Sequence, residues 1–446
     1  MTAIAPSPPA PSIHRAVWAI ALPAMLTNVA TALFGLADIW TIGQLGDAAA
    51  QGAVELGAKF MMGLLVVFNF LRTGTVALTA QAAGRADAGE GAAVLARGLG
   101  LALLVGVLLL LAWPFVVPLG LRLLEADGAV AAAAGRYIDV RYAGGFAWLL
   151  NAVLVGWLIG RRRVRAVLAV EVAANALHVA LDLMFVLWLG WGVAGVAAAT
   201  LASEGAKLLA LGAIVARDPA ARGAVAAFAT RATWAHAAVG ATLAMNRDLF
   251  LRTLLLTGAI LILTRAGAQQ GATVLAANGI LFQLFMLSAL LLDGFESAAQ
   301  VLCGEASGAG NAPRMRRLVK VQIAWGLAVA ASVAAAYAAA GPLIVASFSR
   351  DAGVVAAAQS LIGWAIAIPL IGVVSFVLDG VFIGAGWTRA MLLTMAAAFA
   401  VYVAALAAAV PAIGNHGVWL AFCLFLAARA VGQLLAMPGL VRRSFG

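Results

Sequence analysis

Leu101-Ala-Leu-Leu-Val-Gly-Val-Leu-Leu-Leu-Leu111 carries no polar side chain, and Ala390–Val410 is a second long apolar run. Strands of membrane barrels alternate apolar and polar residues over about 10 positions, whereas these runs are continuous, so they read as helices. A bilayer-spanning helix needs about 20 mostly apolar residues, and such stretches recur from end to end of the chain. The composition agrees: 65% of residues are hydrophobic, 10% are charged, and the mean hydropathy is +1.04. Soluble domains have about 25% charged residues, and a soluble chain of this length has no means of hiding so much apolar surface.

Twelve spans are predicted, at 16–42, 52–78, 93–119, 131–158, 165–187, 192–214, 246–266, 272–301, 319–347, 354–382, 388–411 and 416–438. The fold class is therefore an all-α membrane protein with six helices in each of two bundles. The predicted organisation is a disordered, Pro-rich tail at 1–15, an N-terminal bundle at 16–214, a linker at 215–245, a C-terminal bundle at 246–438 and a tail at 439–446. The linker carries Arg217, Asp218, Arg222, Arg231 and His236 and contains an amphipathic stretch that suits the membrane surface. The run 16–42 is too long for the apolar region of a cleavable signal peptide.

The net charge is +10. Most basic residues lie in short loops between spans, which argues for a topology signal and against nucleic-acid binding. Arg85, Arg97, the group Arg161, Arg162, Arg163 and Arg165, then Arg217, Arg222 and Arg231, then Arg314, Arg316, Arg317 and Lys320, and finally Arg389 all fall on one side. Arg15, Arg442 and Arg443 put the termini with them. The opposite loops are poorer in basic residues and show Asp47, Glu55, Glu125, Asp127, Trp188 and Trp191. An inner-membrane, multi-pass protein with both termini cytoplasmic is expected, as a monomer in the lipid bilayer. Cys303 and Cys423 lie far apart in apolar surroundings, so neither a disulfide framework nor a metal site is indicated.

The two halves are related. Gly156 falls on Gly380, an offset of 224 residues, and the same offset takes Ile159, Gly160, Arg165, Ala166 and Leu168 onto Ile383, Gly384, Arg389, Ala390 and Leu392. Gly43, Gly84 and Gly190 fall on Gly267, Gly308 and Gly414. Six helices per half return the chain to the same side, so the halves are parallel repeats about an axis along the membrane normal, and folds of this kind work by alternating access. Gly156 and Gly160, repeated as Gly380 and Gly384, have the spacing of close helix packing.

Ionisable residues inside a bilayer are costly, at about 2.5–3.5 kcal/mol on insertion scales, so function is sought there first. Asp38 lies within the first span and reads either as an interfacial acid or as a protonation site. Pro23 in the same helix permits a bend. In the fifth span Glu171, Asn175, His178 and Asp182 are spaced by four, three and four, which places them on one face. Such a stripe is expected to line a water-filled cavity. His178 titrates in the physiological range when unperturbed. Glu171 reads either as part of this stripe or as a partner of the Arg161–Arg165 group. Asn151 and Thr200 either face the same cavity or make packing hydrogen bonds. The second half has Ile262 and Leu406 where the first has Asp38 and Asp182, and carries its own acids, Asp293, Glu296 and Asp379. Glu296 aligns with Arg72, so these two are candidates to pair across the pseudo-symmetry axis, and Asp293 and Asp379 are cavity candidates without an obvious partner.

No phosphate-binding loop, nucleophile constellation or metal-ligand set is visible, which points to an ion gradient as the energy source and to a secondary transporter rather than an enzyme. At this point the chain resembles a known family, the multidrug and toxic compound extrusion (MATE) transporters, and in particular their DinF-like branch. The resemblance runs from Ala21 to Arg429. It rests on Ala-Leu-Pro-Ala-Met (21–25), Gly-Leu-Ala-Asp (35–38), Phe-Leu-Arg-Thr-Gly-Thr (70–75), Thr-Ala-Gln-Ala-Ala-Gly (79–84), Asn-Arg-Asp (246–248), Leu-Arg-Thr-Leu-Leu-Leu (251–256), Leu-Asp-Gly-Phe (292–295) and Leu-Asp-Gly-Val-Phe-Ile-Gly-Ala (378–385).

The resemblance implies export of amphipathic, often cationic, organic compounds in exchange for protons or sodium, with no bound cofactor. It assigns the first-helix acid to Asp38, the first-helix proline to Pro23, the fifth-helix acid to Asp182 and the sixth-helix hydroxyl to Thr200. The family often has Asn where this chain has His178, and Asn175 lies about one turn earlier. A proton-coupled multidrug antiporter is therefore expected. The alternatives are a sodium-coupled exporter of the same fold and a flippase for a lipid-linked or polysaccharide precursor, with Arg72 and Arg252 as its inner basic residues.

Overall fold

The computed structural model describes residues 12–123 and 128–446. Glu125, Asp127 and most of the predicted N-terminal tail lie outside them. The first half contains α1 (Ile13–Gly43), α2 (Ala48–Val66), α3 (Phe70–Gly84), α4 (Ala88–Leu123), α5 (Gly128–Tyr142), α6 (Gly144–Gly160), α7 (Val164–Asp182) and α8 (Gly192–Arg217). The short α9 (Ala224–Ala229) follows. The second half contains α10 (His236–Ala268), α11 (Ala272–Gly308), α12 (Ala312–Phe348), α13 (Ala352–Ser360), α14 (Ile362–Gly384), α15 (Thr388–Ile413) and α16 (Asn415–Phe445).

Among the described residues eleven helices are long and apolar enough to cross a membrane, α2 and α3 counting as one span, and the pair Val130–Tyr142 and Gly144–Gly160, bent by 45°, makes the twelfth. Their outer faces present Leu111, Phe115, Leu209, Leu343 and Leu435 to the surroundings, a choice that lipid favours and water penalises. The helices extend beyond the spans read from hydropathy because capping carries them into the polar margins. Asn311 accepts from the Arg314 amide to start α12. Likewise α10 begins at His236, inside the stretch read as linker, because residues 236–245 hold no proline and continue the helix through Gly240. The rest of that stretch lies against α4, where the Trp234 ring occupies the space left by Gly100.

The repeat in sequence is a repeat in packing. A Cβ at Gly156 would meet the Arg72 carbonyl of α3, and one at Gly380 would meet the Glu296 carbonyl of α11. Gly160 sits equally close to the Val76 carbonyl, and Gly384 to that of Gln300. Small residues let helix backbones touch in this way, and both halves use the device at equivalent positions.

At the Arg-rich end the halves meet along α3 and α11. Gly84 lies against the Glu305 carbonyl and Gly308 against that of Gln81, a reciprocal crossing with no room for a side chain. Gln81 Nε2 donates to the Gly384 carbonyl at 2.8 Å, and Arg162 forms an ion pair with Glu305. One helix belongs to both halves. The first arm of α1 packs on α11, where Met25 fills the space over Gly294, and its second arm packs on α7. Pro23 lies in the first arm. Thr27 Oγ1 donates back to the Pro23 carbonyl at 2.8 Å, and Thr31 Oγ1 to that of Thr27 at 2.9 Å. Proline and such back-bonds both bend helices.

Candidate functional site

The polar stripe of α7 faces other helices rather than open water, and it divides into two clusters. Its far end meets α1. His178 Nε2 lies 2.5 Å from Asp38 Oδ1 and 3.0 Å from Asp182 Oδ2. His178 and Asp182 are 0% exposed and Asp38 is 3% exposed. On the other side of the ring Ser203 Oγ lies 3.4 Å from Nδ1 and donates its own proton to the Thr200 carbonyl at 3.0 Å. The serine oxygen therefore stands as an acceptor, and the ring has an acceptor at each nitrogen, which accommodates the imidazolium form. Neither oxygen of Asp182 has a hydrogen bond of good geometry among the described residues. Two carboxylates around one imidazole, sealed from water, form a group whose net charge depends on how many protons it holds. Buried uncompensated charge is costly, so adding or removing one proton changes how firmly α1 is held against α7.

The backbone supports this placement. Asn175 Nδ2 donates to the Ala30 carbonyl of α1 at 2.8 Å, so the residue one turn before His178 pins the same helix. Directly after Asp182 the chain winds one wide π-helical turn, Leu183–Trp188, a distortion frequent at functional positions.

The near end of the stripe is a separate cluster. Glu171 pairs with Lys207 of α8 at 2.7 Å, not with the Arg161–Arg165 group, whose Arg161 and Arg163 face Asp218 instead. Glu204 stands 4.0 Å from Lys207 and accepts from Asn151 Nδ2 at 2.8 Å. Asn151 thus has a packing role between α6 and α8. Thr200 donates to the Val196 carbonyl of its own helix at 3.1 Å and makes no hydrogen bond to Asp38 or Asp182. Lys207 and Glu204 were missed in the sequence reading; their spacing of three on an otherwise apolar helix was the available signal.

Between the halves lies a cavity of about 250 Å³. Arg72 of α3 and Asn69 just before it line it, as do Asp293 and Glu296 of α11, Arg252 of α10 and Arg429 of α16. Its apolar wall includes Phe70, Phe285, Met286, Phe376 and Phe422. Arg72 and Glu296 share this space but do not pair. Glu296 accepts from Gln300 Nε2 at 3.1 Å, which is one helical turn away and closer to hand. Asp379 lies behind the wall and, contrary to expectation, is fully partnered. It takes ion pairs from Arg252 and Arg429 and a 2.6 Å hydrogen bond from Gln433 Nε2. Those partners stand on α10 and α16, so sequence distance concealed them.

Comparison with known proteins agrees with this architecture. The MatE family profile matches residues 23–184 and 249–408. The DNA damage-inducible protein F of Escherichia coli is 33% identical over 420 residues, covering 94% of this chain and 91% of that protein. A MATE structure in a bent conformation superposes with a TM-score of 0.88 at 21% identity, covering 97% of this chain and 96% of that one. A MATE structure in a straight conformation gives 0.86 at 21% identity, over 97% of each. With a family match over most of its length, a fold of two six-helix bundles and a related DinF-type sequence, the chain belongs to the MATE family of transporters, on its DinF-like side.

Proposed function

We propose that this transporter exports amphipathic organic cations in exchange for protons, with the cluster of Asp38, His178 and Asp182 as the proton-binding element. The observation that carries the reading is the contact between His178 and Asp38, which ties α1 to α7. A proton that enters the cluster alters the charge holding the second arm of α1. Pro23 is where α1 then changes its bend, passing that change to the first arm, which packs on α11 beside the cavity. Asp293 and Glu296 supply the negative charge that receives a cation, and the aromatic and methionine wall suits varied apolar bodies.

The Arg-rich end is placed at the cytoplasm, with both termini, following the positive-inside rule. The tightly packed crossing of Gly84 and Gly308 then closes the inner side in this conformation. The halves 16–214 and 246–438 work as the two moving bodies of a monomer, and residues 215–245 join them.

Sodium is the second reading. The ligand atoms of Asp38, His178 and Asp182 lie within 4.8 Å of one another, which suits a small cation as well as a proton. The deciding experiment uses purified protein in liposomes loaded with a fluorescent organic cation, under a pH gradient and then under a sodium gradient. Efflux driven by the pH gradient in the wild type and lost in Asp38→Asn supports proton antiport. Efflux driven by sodium alone replaces the coupling ion, and efflux under neither gradient removes the exporter reading.

A further inference from the structure

The segment that joins the halves is packed on one side and bare on the other. Its inner side follows α4. A Cβ at Gly223 would lie 3.5 Å from Ala92, and the Trp234 ring fills the space over Gly100. Arg97 of α4 donates to the Thr233 carbonyl at 3.3 Å and fixes this approach. Gly100 lies within the predicted span 93–119, so the segment reaches the bilayer margin. Its outer side carries Val225, which is 84% exposed, and the exposed rings of Phe228 and Trp234, which meet edge to face at 5.3 Å. Water penalises such a patch, whereas the interfacial layer of a membrane accepts it, aromatic rings above all.

Basic residues flank this patch. Arg217 ends α8, Arg222 and Arg231 stand on either side of α9, and all three are exposed. Among the described residues none of their side chains has a hydrogen bond or an ion pair. Arg97 and Arg162 on the same side are instead paired with Glu90 and Glu305. The one acid between Arg217 and His236 is Asp218, which is buried and faces Arg161 and Arg163. No exposed carboxylate of this segment competes for the three guanidiniums.

We infer that the outer side of the linker binds anionic phospholipid in the leaflet at the Arg-rich end: Val225 and Phe228 enter the acyl margin, and Arg217, Arg222 and Arg231 meet the phosphate-bearing headgroups. A guanidinium presents phosphate with a planar fork of donors. Each basic residue held near an anionic bilayer adds about fivefold to the attraction. A soluble phosphate would satisfy the arginines and leave the apolar residues in water, so the occupant is a lipid. Binding of this kind is independent of the cargo and of the coupling ion.

The test places a fluorophore at Ala226→Cys, an exposed position of α9; Cys303 and Cys423 are buried and stay unlabelled. The protein is held in nanodiscs that contain a fixed fraction of nitroxide-bearing lipid, either phosphatidylglycerol or phosphatidylcholine. Phosphatidylglycerol is expected to be enriched at the fluorophore by at least about fivefold over phosphatidylcholine, and about 0.5 M salt should remove the difference. Arg222→Gln with Arg231→Gln should bring the two lipids close to equal, and Arg222→Lys with Arg231→Lys should keep the preference. Equal quenching by both lipids in the otherwise unaltered protein overturns the inference, because it marks mere proximity to the bilayer. Quenching by neither overturns it by taking the segment off the membrane. A preference that survives in the Gln pair overturns it as well, since other arginines then recruit the lipid, and so does loss in the Lys pair, which marks disruption of the segment. Inorganic phosphate that removes the preference at unchanged ionic strength makes this a site for a soluble anion and overturns the lipid assignment.

Discussion

The two halves share a backbone plan and bury charge in opposite ways. The N-terminal half closes two carboxylates around one imidazole, at Asp38, Asp182 and His178. The C-terminal half closes one carboxylate between two guanidiniums, at Asp379, Arg252 and Arg429. Neither arrangement has a counterpart. The offset of 224 residues puts Ile262 and Leu406 opposite the first pair of acids, and Val155 and Gly205 opposite Asp379 and Arg429. Duplication kept the glycine contacts that set helix spacing, and the ionisable residues were placed in each half separately. The chemistry differs accordingly. An imidazole between carboxylates can exchange protons, whereas a guanidinium keeps its charge at any working pH. One cluster is able to switch and the other is a fixed clamp.

Removing the switch should have the largest effect. In Asp38→Asn, lowering the external pH at constant internal pH should no longer speed efflux, which falls to the rate of liposomes without protein. In the wild type the same inward proton gradient speeds efflux. His178→Gln keeps hydrogen-bonding capacity but cannot titrate, so the protons taken up per dye exported, read with a pH dye, should fall. If Asp379→Asn abolished proton-driven efflux and Asp38→Asn did not, the comparison would be reversed.

The clamp should show itself in stability. Asp379→Asn takes away the carboxylate that Arg252 and Arg429 share, and breaking a buried pair from one side costs about 3–5 kcal/mol. Thermal unfolding in detergent should show this as a large drop in Tm. Asp182→Asn in the other half leaves His178 its pair with Asp38, so no charge is left without a partner and its drop should be clearly smaller. Equal drops in the two variants would mean that both clusters are structural.

The sequence disclosed one cluster far better than the other. Asp38 stands out in an apolar helix, and the spacing of Glu171, Asn175, His178 and Asp182 marks one helix face, so local pattern alone brought the acid, the histidine and α7 forward. The repeat was equally legible, because glycines that touch a neighbouring backbone tolerate no replacement by a larger residue. The clamp was not legible. Arg429 and Gln433 lie 50 and 54 residues from Asp379, and Arg252 lies 127 away, and no periodicity connects three different helices. The division of the α7 stripe was hidden for the same reason, since Lys207 and Glu204 act from α8.

A smaller effect is expected where the halves meet. Arg162 and Glu305 form the ion pair beside the crossing of Gly84 and Gly308. Exposed pairs contribute about 0.2–1 kcal/mol, so Arg162→Glu should loosen this end without unfolding either bundle. Cys303 is fully buried on the stretch of α11 that carries the crossing, with its thiol against Gln322 of α12, so a maleimide reaches it only when α11 shifts at this end. Its rate of labelling by a maleimide should rise by about twofold to fivefold, the shift expected from an energy of that size. An unchanged rate would mean that the glycine crossing holds the end closed without the ion pair.

The smallest effects separate neighbouring hydroxyls on α8. Thr200 gives its proton to the Val196 carbonyl, while Ser203 faces His178 Nδ1. The resemblance to the MATE family assigns the functional hydroxyl to Thr200, and the geometry favours Ser203. Thr200→Val exchanges a hydroxyl already bonded within its own helix for a methyl of similar size. Stability should change by no more than about 1 kcal/mol, and the pH profile of efflux should stay in place. Ser203→Ala removes the acceptor at Nδ1, so it should move the midpoint of that profile while leaving the maximal rate and the thermal stability nearly unchanged. A shifted midpoint in Thr200→Val with none in Ser203→Ala would mean that the hydroxyl of Thr200 turns toward the acids during transport and that His178 needs no support at its second nitrogen.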